Sequence, residues 1–239
     1  MDLFITSKIG AAVHLNGRRT AGKIDDRFGF LTNFKKCLHK TGQMLYISSD
    51  PKPNERVSEW FQNTVEALKK EGIRFDKCTL VNGHNVSMLK EAITQTDVIF
   101  LSGGHLPTQN LFFQRIGLRD ILTGFDGIIV AQSAGSMNCA ETVYVCPELP
   151  GESIDPNFER FLPGLGLTDI NIIPHYNDNH GLILDGKRFY EDIVSPDTFK
   201  VPVYLLPDGS YFYTHDGKTE LFGEAYLFHC GKLKLLEKL

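Results

Sequence analysis

A serine stands at the junction between a strongly apolar segment and a segment of small residues. The sequence runs from Gly127 through isoleucines and valine to Gln132 and Ser133, and Ala134 and Gly135 follow. An apolar strand that passes through such a serine into a helix is typical of a nucleophile elbow, which exposes the hydroxyl beside the positive helix end. Alanine stands at the first position of the usual G-x-S-x-G pattern. An ordinary junction with the serine as helix cap is the alternative.

A second apolar segment ends in a pair of glycines. Residues 98–101 are followed by a serine and two glycines, the second of which is Gly104. Because ligands of open parallel sheets bind outside the carboxyl ends of the strands, neighbouring strands would put the N–H of Gly104 beside Ser133. With the N–H of Ala134 it would form an oxyanion hole, in which each donor stabilises the transition state by about 3–4 kcal/mol. A tight turn that requires positive φ also explains the glycine pair.

A serine hydroxyl is a poor nucleophile without a base, and His175 is the histidine with the most suitable position. It closes the apolar segment that starts at Ile170, so it lies at the carboxyl end of another predicted strand. His180 with Asp178 nearby could suggest a metal site, but no second histidine pair or carboxylate spacing supports that interpretation. We therefore expect neither a metal nor a cofactor.

Two acidic residues compete for the role of orienting the histidine. Asp208 ends the segment 201–208 and is again at a strand terminus, although Pro-Asp-Gly is also a standard turn sequence. Glu148 lies between two prolines in the loop that follows the serine. The spacing does not decide between them. We favour Asp208, because a strand terminus is held more rigidly than a proline-containing loop.

The elements that must position these residues alternate through the first two thirds of the chain. The apolar segments, predicted as strands, are residues 3–5, 44–47, 79–81, 98–101 and 128–130. The segments with helical periodicity are residues 24–39, 54–70, 86–95 and 108–116. Strands that are too apolar to alternate, each followed by a helix, indicate a parallel sheet buried on both faces.

The last third of the chain has a different pattern. Short apolar segments at residues 201–206, 211–214, 224–229 and 233–236 are separated by glycine-containing turns, which are typical of antiparallel hairpins. No internal repeat or convincing linker divides the chain. We predict one domain over residues 1–239, with an α/β, doubly wound and mostly parallel sheet and an antiparallel C-terminal hairpin extension.

Composition restricts the class of protein and its partners. The formal net charge is −4 and 42% of the residues are hydrophobic, so the sequence lacks the basic surface of nucleic-acid or membrane binders. Five scattered cysteines favour reduced thiols over a disulfide framework. No signal-peptide pattern or transmembrane-length apolar segment is present. We expect a cytoplasmic protein, a monomer or weak homodimer, that acts on a short peptide and binds no nucleic acid or membrane.

Four segments together resemble the peptidase E (aspartyl dipeptidase) family in order and approximate spacing. They are Ser102-Gly103-Gly104, the elbow 132–135, the segment 171–176 and the segment 206–209. The resemblance implies a flavodoxin-like fold related to class I glutamine amidotransferases and a catalytic triad.

By this resemblance, each candidate residue takes a role. Ser133 matches the nucleophile, His175 the base and Asp208 the acid, while Gly104 and Ala134 match the oxyanion donors. Glu148 falls where some members of the family carry an aspartate that is also proposed as the acid.

The sequence also departs from the family pattern. The elbow reads Ala-Gln-Ser where Gly-Trp-Ser is common, and Asp208 replaces the usual glutamate. The arginine-bearing stretch associated with aspartyl specificity is absent beyond the histidine, where Lys187 and Arg188 are the nearest cations. Since an arginine suits a carboxylate best through two parallel hydrogen bonds, we predict that the protein is not a strict aspartyl dipeptidase.

The sequence thus predicts a serine-type exopeptidase or dipeptidase that works through a Ser-His-Asp triad and an acyl-enzyme. One alternative is a catalytically retired amidotransferase-like domain that binds a small ligand. Another is an α/β-hydrolase esterase, whose order of triad residues would require His215 or His229 as the base.

Overall fold

The computed structural model describes residues 1–15 and 18–237. The strands are β1 (Asp2–Thr6), β2 (Gly10–Leu15), β3 (Arg18–Ile24), β4 (Gln43–Ile47), β5 (Lys77–Val81), β6 (Val98–Leu101), β7 (Ile128–Gln132), β8 (Thr142–Tyr144), β9 (Phe161–Pro163), β10 (Ile172–Pro174), β11 (Ile183–Leu184), β12 (Lys187–Arg188), β13 (Val203–Leu206), β14 (Tyr211–His215), β15 (Lys218–Phe222), β16 (Glu224–His229) and β17 (Lys232–Glu237). The α-helices are α1 (Phe30–Cys37), α2 (Glu55–Lys70), α3 (Leu89–Ala92), α4 (Leu106–Arg115), α5 (Leu118–Leu122), α6 (Ala134–Met137) and α7 (Tyr176–Asn179).

A seven-stranded sheet organises the molecule, in the order β15-β14-β1-β7-β6-β4-β5. Five neighbouring strands are parallel to one another, in the order β1, β7, β6, β4 and β5. Strand β14 pairs with the other side of β1 and is antiparallel to it, and β15 pairs with β14, again antiparallel. The predicted α/β class with a mostly parallel central sheet is confirmed. Because β1, β7 and β6 are neighbours, their carboxyl ends meet at one edge, where a shared site can form.

Both faces of the central sheet are buried, as the apolar strands predicted. Along β1, Leu3 and Ile5 point into one core while Phe4 points into the other, and all three are fully buried. In β7, Ile129 and Val130 divide between the same two cores. This alternation explains why the central positions of these strands are apolar, since each face meets a layer of protein rather than water.

Helix α2 matches the predicted segment 54–70 closely. The Asn54 side chain caps its start by accepting hydrogen bonds from the N–H groups of Arg56 and Val57. Beyond its end, Gly72 has a φ of 81°, which suits glycine at a helix C-terminus. The predicted helix 108–116 begins slightly earlier, as α4, and the predicted helix 86–95 consists of α3 with a 3₁₀ turn on either side.

Two expectations about the elements are wrong. The first half of the predicted helix 24–39 is not helical, since Ile24 ends β3 and α1 begins only at Phe30. A turn at Asp26, whose carboxylate accepts the N–H of Leu31 at 2.7 Å, separates the two elements. The C-terminal segments also do not all extend the main sheet. Only β14 and β15 do so, while β13, β16 and β17 form a second sheet with β10.

The second sheet has the order β10-β13-β16-β17, and β10 pairs with β13 in parallel. This pairing brings the end of β10 next to the end of β13, so the residues after Pro174 and Leu206 become neighbours. Among the helices within residues 1–15 and 18–237, none combines the length and apolarity that crossing a membrane requires.

Candidate active site

Ser133 occupies the sharp turn between β7 and α6. Its φ of 52° and ψ of −119° lie outside the favoured regions for a residue with a side chain, which is the strain expected of a nucleophile elbow. The backbone N–H of Ser133 donates to the carbonyl of Thr6 at 3.1 Å and so fixes the turn to β1. A Cβ on Gly135 would lie 2.4 Å from the carbonyl oxygen of Leu101, so only glycine allows this close approach between α6 and β6.

The glycine pair after β6 lies against this turn. A Cβ on Gly103 would be 3.2 Å from the Cβ of Ser133, which shows how closely the two strand ends approach. Gly104 has a φ of 153°, and a Cβ there would overlap the Ser49 side chain. Among the residues that the structure describes, none accepts a hydrogen bond from the N–H of Gly104. Ala134 begins α6, where backbone N–H groups have no partner within the helix.

His175 stands directly after β10 and reaches the elbow. Its Nε2 is 3.1 Å from Oγ of Ser133, and its Nδ1 is 2.7 Å from Oδ1 of Asp208. The residue has a left-handed backbone conformation, with φ of 59°, and its backbone N–H donates to Oγ of Ser7 at 2.9 Å. The imidazole is therefore held from both sides and points one nitrogen at the serine.

Asp208 follows β13 and is held by residues from the N-terminal part of the chain. Oγ of Ser7 donates to its Oδ1 at 2.7 Å, and Nζ of Lys8 is 3.6 Å from its Oδ2. The guanidinium of Arg27 donates to its backbone carbonyl at 2.8 Å. Burial by itself raises the pKa of this carboxyl. The hydrogen bond and charge of His175, with Ser7 and Lys8, outweigh that effect and lower the pKa to about 2.

Glu148, the competing acid, lies near the serine but makes no contact with His175. The residue lines the cavity in front of Ser133, where surrounding protein atoms crowd its carboxyl. This crowding, together with the charge of Glu152, raises the pKa of Glu148 to about 7. Glu152 itself binds Nε2 of His105 at 2.9 Å. The structure brings Asp208, rather than Glu148, to the histidine.

The cavity in front of the serine has a volume of about 480 Å³. Gly104, Ser133 and His175 line one part of it, and Arg56 and Trp60 of α2 line another. A larger cavity of about 790 Å³ lies at the opposite edge of the central sheet, where the parallel strands begin. The smaller cavity contains the candidate catalytic residues, and it lies at the carboxyl ends of the parallel strands, where ligands of such sheets bind.

Sequence reasoning missed Ser7, Lys8 and Arg56. Ser7 follows the first predicted strand, so the rule that ligands meet strand ends could have indicated it, had β1 been known to neighbour β7. Lys187 and Arg188, the cations considered from the sequence, do not line this cavity. Lys187 donates to a backbone carbonyl at 3.1 Å, and Arg188 pairs with a carboxylate on its own segment at 2.7 Å.

The cavity in front of Ser133 is lined neither by the esterase candidates His215 and His229 nor by His180, the candidate metal ligand. His229 is exposed at the end of β16. Nδ1 of His215 is 2.6 Å from the carboxylate of Asp2, at the edge where the parallel strands begin. His180 packs its ring against Tyr176. His175, Asp178 and Asp208 place ligand-type atoms within 4.8 Å of one another, but two of these residues already bind each other.

Comparisons with a family model and with solved structures show what the chain is similar to. The sequence model of peptidase family S51 matches residues 30–222, which is most of the chain. Among solved structures, a candidate peptidase E protein from Listeria monocytogenes EGD-e is similar, with a TM-score of 0.61 and 14% identity, over 92% of this chain and 96% of that one. At this identity the likeness concerns the fold alone. No curated protein sequence matches. The family match is decisive: the chain belongs to peptidase family S51 and is a serine-type peptidase, as its resemblance to peptidase E predicted.

Proposed function

We propose that this protein hydrolyses short peptides as an exopeptidase or dipeptidase, through a triad of Ser133, His175 and Asp208. One observation carries the proposal: Nε2 of His175 is 3.1 Å from the Ser133 hydroxyl, and its Nδ1 is 2.7 Å from the Asp208 carboxylate. A nucleophile, a base and an orienting acid in this order are the arrangement that acyl transfer by a serine requires.

In the proposed reaction, Nε2 of His175 takes the hydroxyl proton while Oγ of Ser133 attacks the peptide carbonyl. The N–H groups of Gly104 and Ala134 donate to the oxyanion of the tetrahedral intermediate. The protonated imidazole then gives its proton to the leaving amine, and the C–N bond breaks to form an acyl-enzyme. Water, activated by the same imidazole, then hydrolyses the acyl-enzyme, which releases the carboxylic acid product and restores the serine.

The acid has a positioning and electrostatic role in this scheme. Because the pKa of Asp208 is held near 2, its carboxylate is ionised at neutral pH and accepts Nδ1–H of the imidazole. That bond fixes the tautomer in which Nε2 is free to act as a base. Ser7 supports both partners, since its hydroxyl donates to Asp208 and accepts from the backbone of His175.

The proposal extends to fold type and setting. If β4, β5, β6 and β7 are renumbered 1 to 4, their order in the sheet is 2-1-3-4, as in a flavodoxin-like sheet. Strand β1 takes the fifth place, next to β7. This order supports a flavodoxin-like, glutamine amidotransferase-like domain over residues 1–239. A short-peptide substrate, a cytoplasmic location and a monomer or weak homodimer complete the proposal.

Labelling with a fluorophosphonate tests the proposal. We expect stoichiometric label on Ser133 in the wild type and in Ser87→Ala, an exposed control serine, and none in Ser133→Ala. With a dipeptide library, Ser133→Ala should lower kcat by roughly 10⁴–10⁶-fold and leave the circular dichroism spectrum unchanged.

Three outcomes would contradict it. If the wild type is active but takes no label, it uses another nucleophile. If the label is found on Ser102 or Ser136, the assignment of Ser133 is wrong. A folded wild type that takes no label and cleaves no peptide would favour the retired, ligand-binding alternative.

A further inference from the structure

One face of helix α2 forms a wall of the cavity that contains Ser133. Arg56, Trp60, Asn63 and Thr64 all line it, at the spacing that places residues on one side of a helix. These four side chains are basic, aromatic or polar, and none is acidic. The wall therefore offers hydrogen-bond donors and one positive charge to whatever occupies the cavity.

The guanidinium of Arg56 is held in place without being neutralised. It lies over the ring of Trp60, with 4.9 Å between its central carbon and the ring centroid. Such a cation–π contact restricts the side chain but leaves the N–H groups of the planar fork available. In residues 1–15 and 18–237, no carboxylate oxygen lies within 4.0 Å of this guanidinium.

The other basic side chains that line the cavity already have acidic partners. Lys8 and His175 both face Asp208, at 3.6 and 2.7 Å. His105 pairs with Glu152 at 2.9 Å. Within the part of the chain that the structure describes, Arg56 is thus the basic residue of this cavity that lacks an acidic partner.

We infer that Arg56 binds a carboxylate of the substrate and so sets the specificity of the peptidase activity proposed above. Its fork matches a carboxylate through two parallel hydrogen bonds. Two groups of a short peptide have this chemistry, namely the C-terminal α-carboxylate and an acidic side chain. Glu148 and Asp178 line the same cavity, so a zwitterionic peptide meets charges of both signs.

The proposal is tested first by kinetics on substrate pairs that differ only in a carboxylate. Ala-Leu and its C-terminal amide report on the α-carboxylate, and Asp-Leu and Asn-Leu report on the side chain. In Arg56→Gln, KM should rise about fivefold for the substrate of the pair that has the recognised carboxylate, and kcat should change less than about threefold. Arg56 is exposed, which keeps the expected effect to this size. KM for the partner without that carboxylate should stay the same, and Arg56→Lys should fall between.

Binding provides a readout that does not depend on catalysis. Calorimetry of Ala-Leu and Asp-Leu with Ser133→Ala protein, with and without Arg56→Gln, should show the same selective weakening. Lys69→Gln is the matched control, because Lys69 lies on the same helix and pairs with Glu66 outside the cavity. It should leave every KM and affinity unchanged.

The results that overturn the inference differ from those that overturn the proposed function. If the wild type cleaves dipeptides but Arg56→Gln preserves both carboxylate preferences, Arg56 does not bind the carboxylate. If Lys8→Met alone removes a preference, Lys8 binds it instead. If Ser133→Ala binds no dipeptide at millimolar concentration, the inference is wrong whatever the labelling result. Failure of Ser133 to take label counts against the triad only.

Discussion

Replacing Asp208 by asparagine removes the negative charge that faces the imidazole of His175 and leaves the size of the side chain almost unchanged. The two charge centres lie about 4 Å apart, since Oδ1 and Nδ1 are separated by 2.7 Å. Both side chains are about 30% exposed, with relative exposures of 31% for His175 and 29% for Asp208. An effective dielectric constant near 20 suits such a site, and two unit charges at this distance then interact by about 4 kcal/mol.

The imidazole becomes cationic during attack by Ser133, so this interaction stabilises the transition state more than the ground state. A loss of about 4 kcal/mol corresponds to roughly 10³-fold in rate. We therefore expect Asp208→Asn to slow fluorophosphonate labelling of Ser133 at pH 7.5 by about 10³-fold. The labelling rate is preferable to peptide turnover, because it reports activation of the serine without depending on peptide binding.

Glu148→Gln is the matched control for this experiment. It neutralises the other candidate acid, which lines the same cavity but does not contact His175, so the labelling rate should change less than about threefold. The assignment of the acid would be refuted if Asp208→Asn slowed labelling by less than tenfold, or if Glu148→Gln slowed it more than Asp208→Asn did. Unchanged circular dichroism in both variants excludes unfolding as the cause.

Two further predictions concern the oxyanion loop and acid stability. In Gly104→Ala, a Cβ would overlap Ser49 at a φ of 153°, so kcat should fall at least 10²-fold and Tm by several degrees. Adding Ser49→Gly to Gly104→Ala should recover Tm in part but not kcat, and a fully active Gly104→Ala would contradict the expected displacement of this loop by the added Cβ. The pKa of Asp208 is lowered from 3.8 to about 2, so its stabilising effect, about 2 kcal/mol, is complete above pH 4 and lost toward pH 2. Urea midpoints should show a gap between wild type and Asp208→Asn that is larger at pH 5 than at pH 2.5, and a constant gap would contradict the shift.

The local pattern of the sequence was sufficient for the parallel sheet and for the elbow at Ser133. Short apolar segments without alternation, each followed by a helical segment, are typical of strands covered on both faces, and Leu3 and Phe4 do enter separate cores. Small residues at a strand–helix junction have a local reason as well, because Gly135 must pass close to Leu101. These features depend on neighbours in sequence or on burial alone.

Other features depended on which strands become neighbours. The pairing of β1 with β7 places Ser7 at the site, where it bonds Asp208, 201 residues away in the chain. The pairing of β10 with β13 brings Asp208 to His175, whereas Glu148 keeps only a place in the cavity wall.

The cavity wall shows the same limit. Arg56 enters the site because α2 packs on one face of the central sheet, a contact that helical periodicity cannot reveal. Periodicity identifies the face of a helix that is buried, but not which residues of another element lie opposite it. The sequence by itself predicted the candidate serine and the sheet that carries it. Only the tertiary structure showed that Asp208 contacts His175, that the Ser7 hydroxyl bonds both residues and that Arg56 lines the cavity, since these contacts join segments that are distant in the chain.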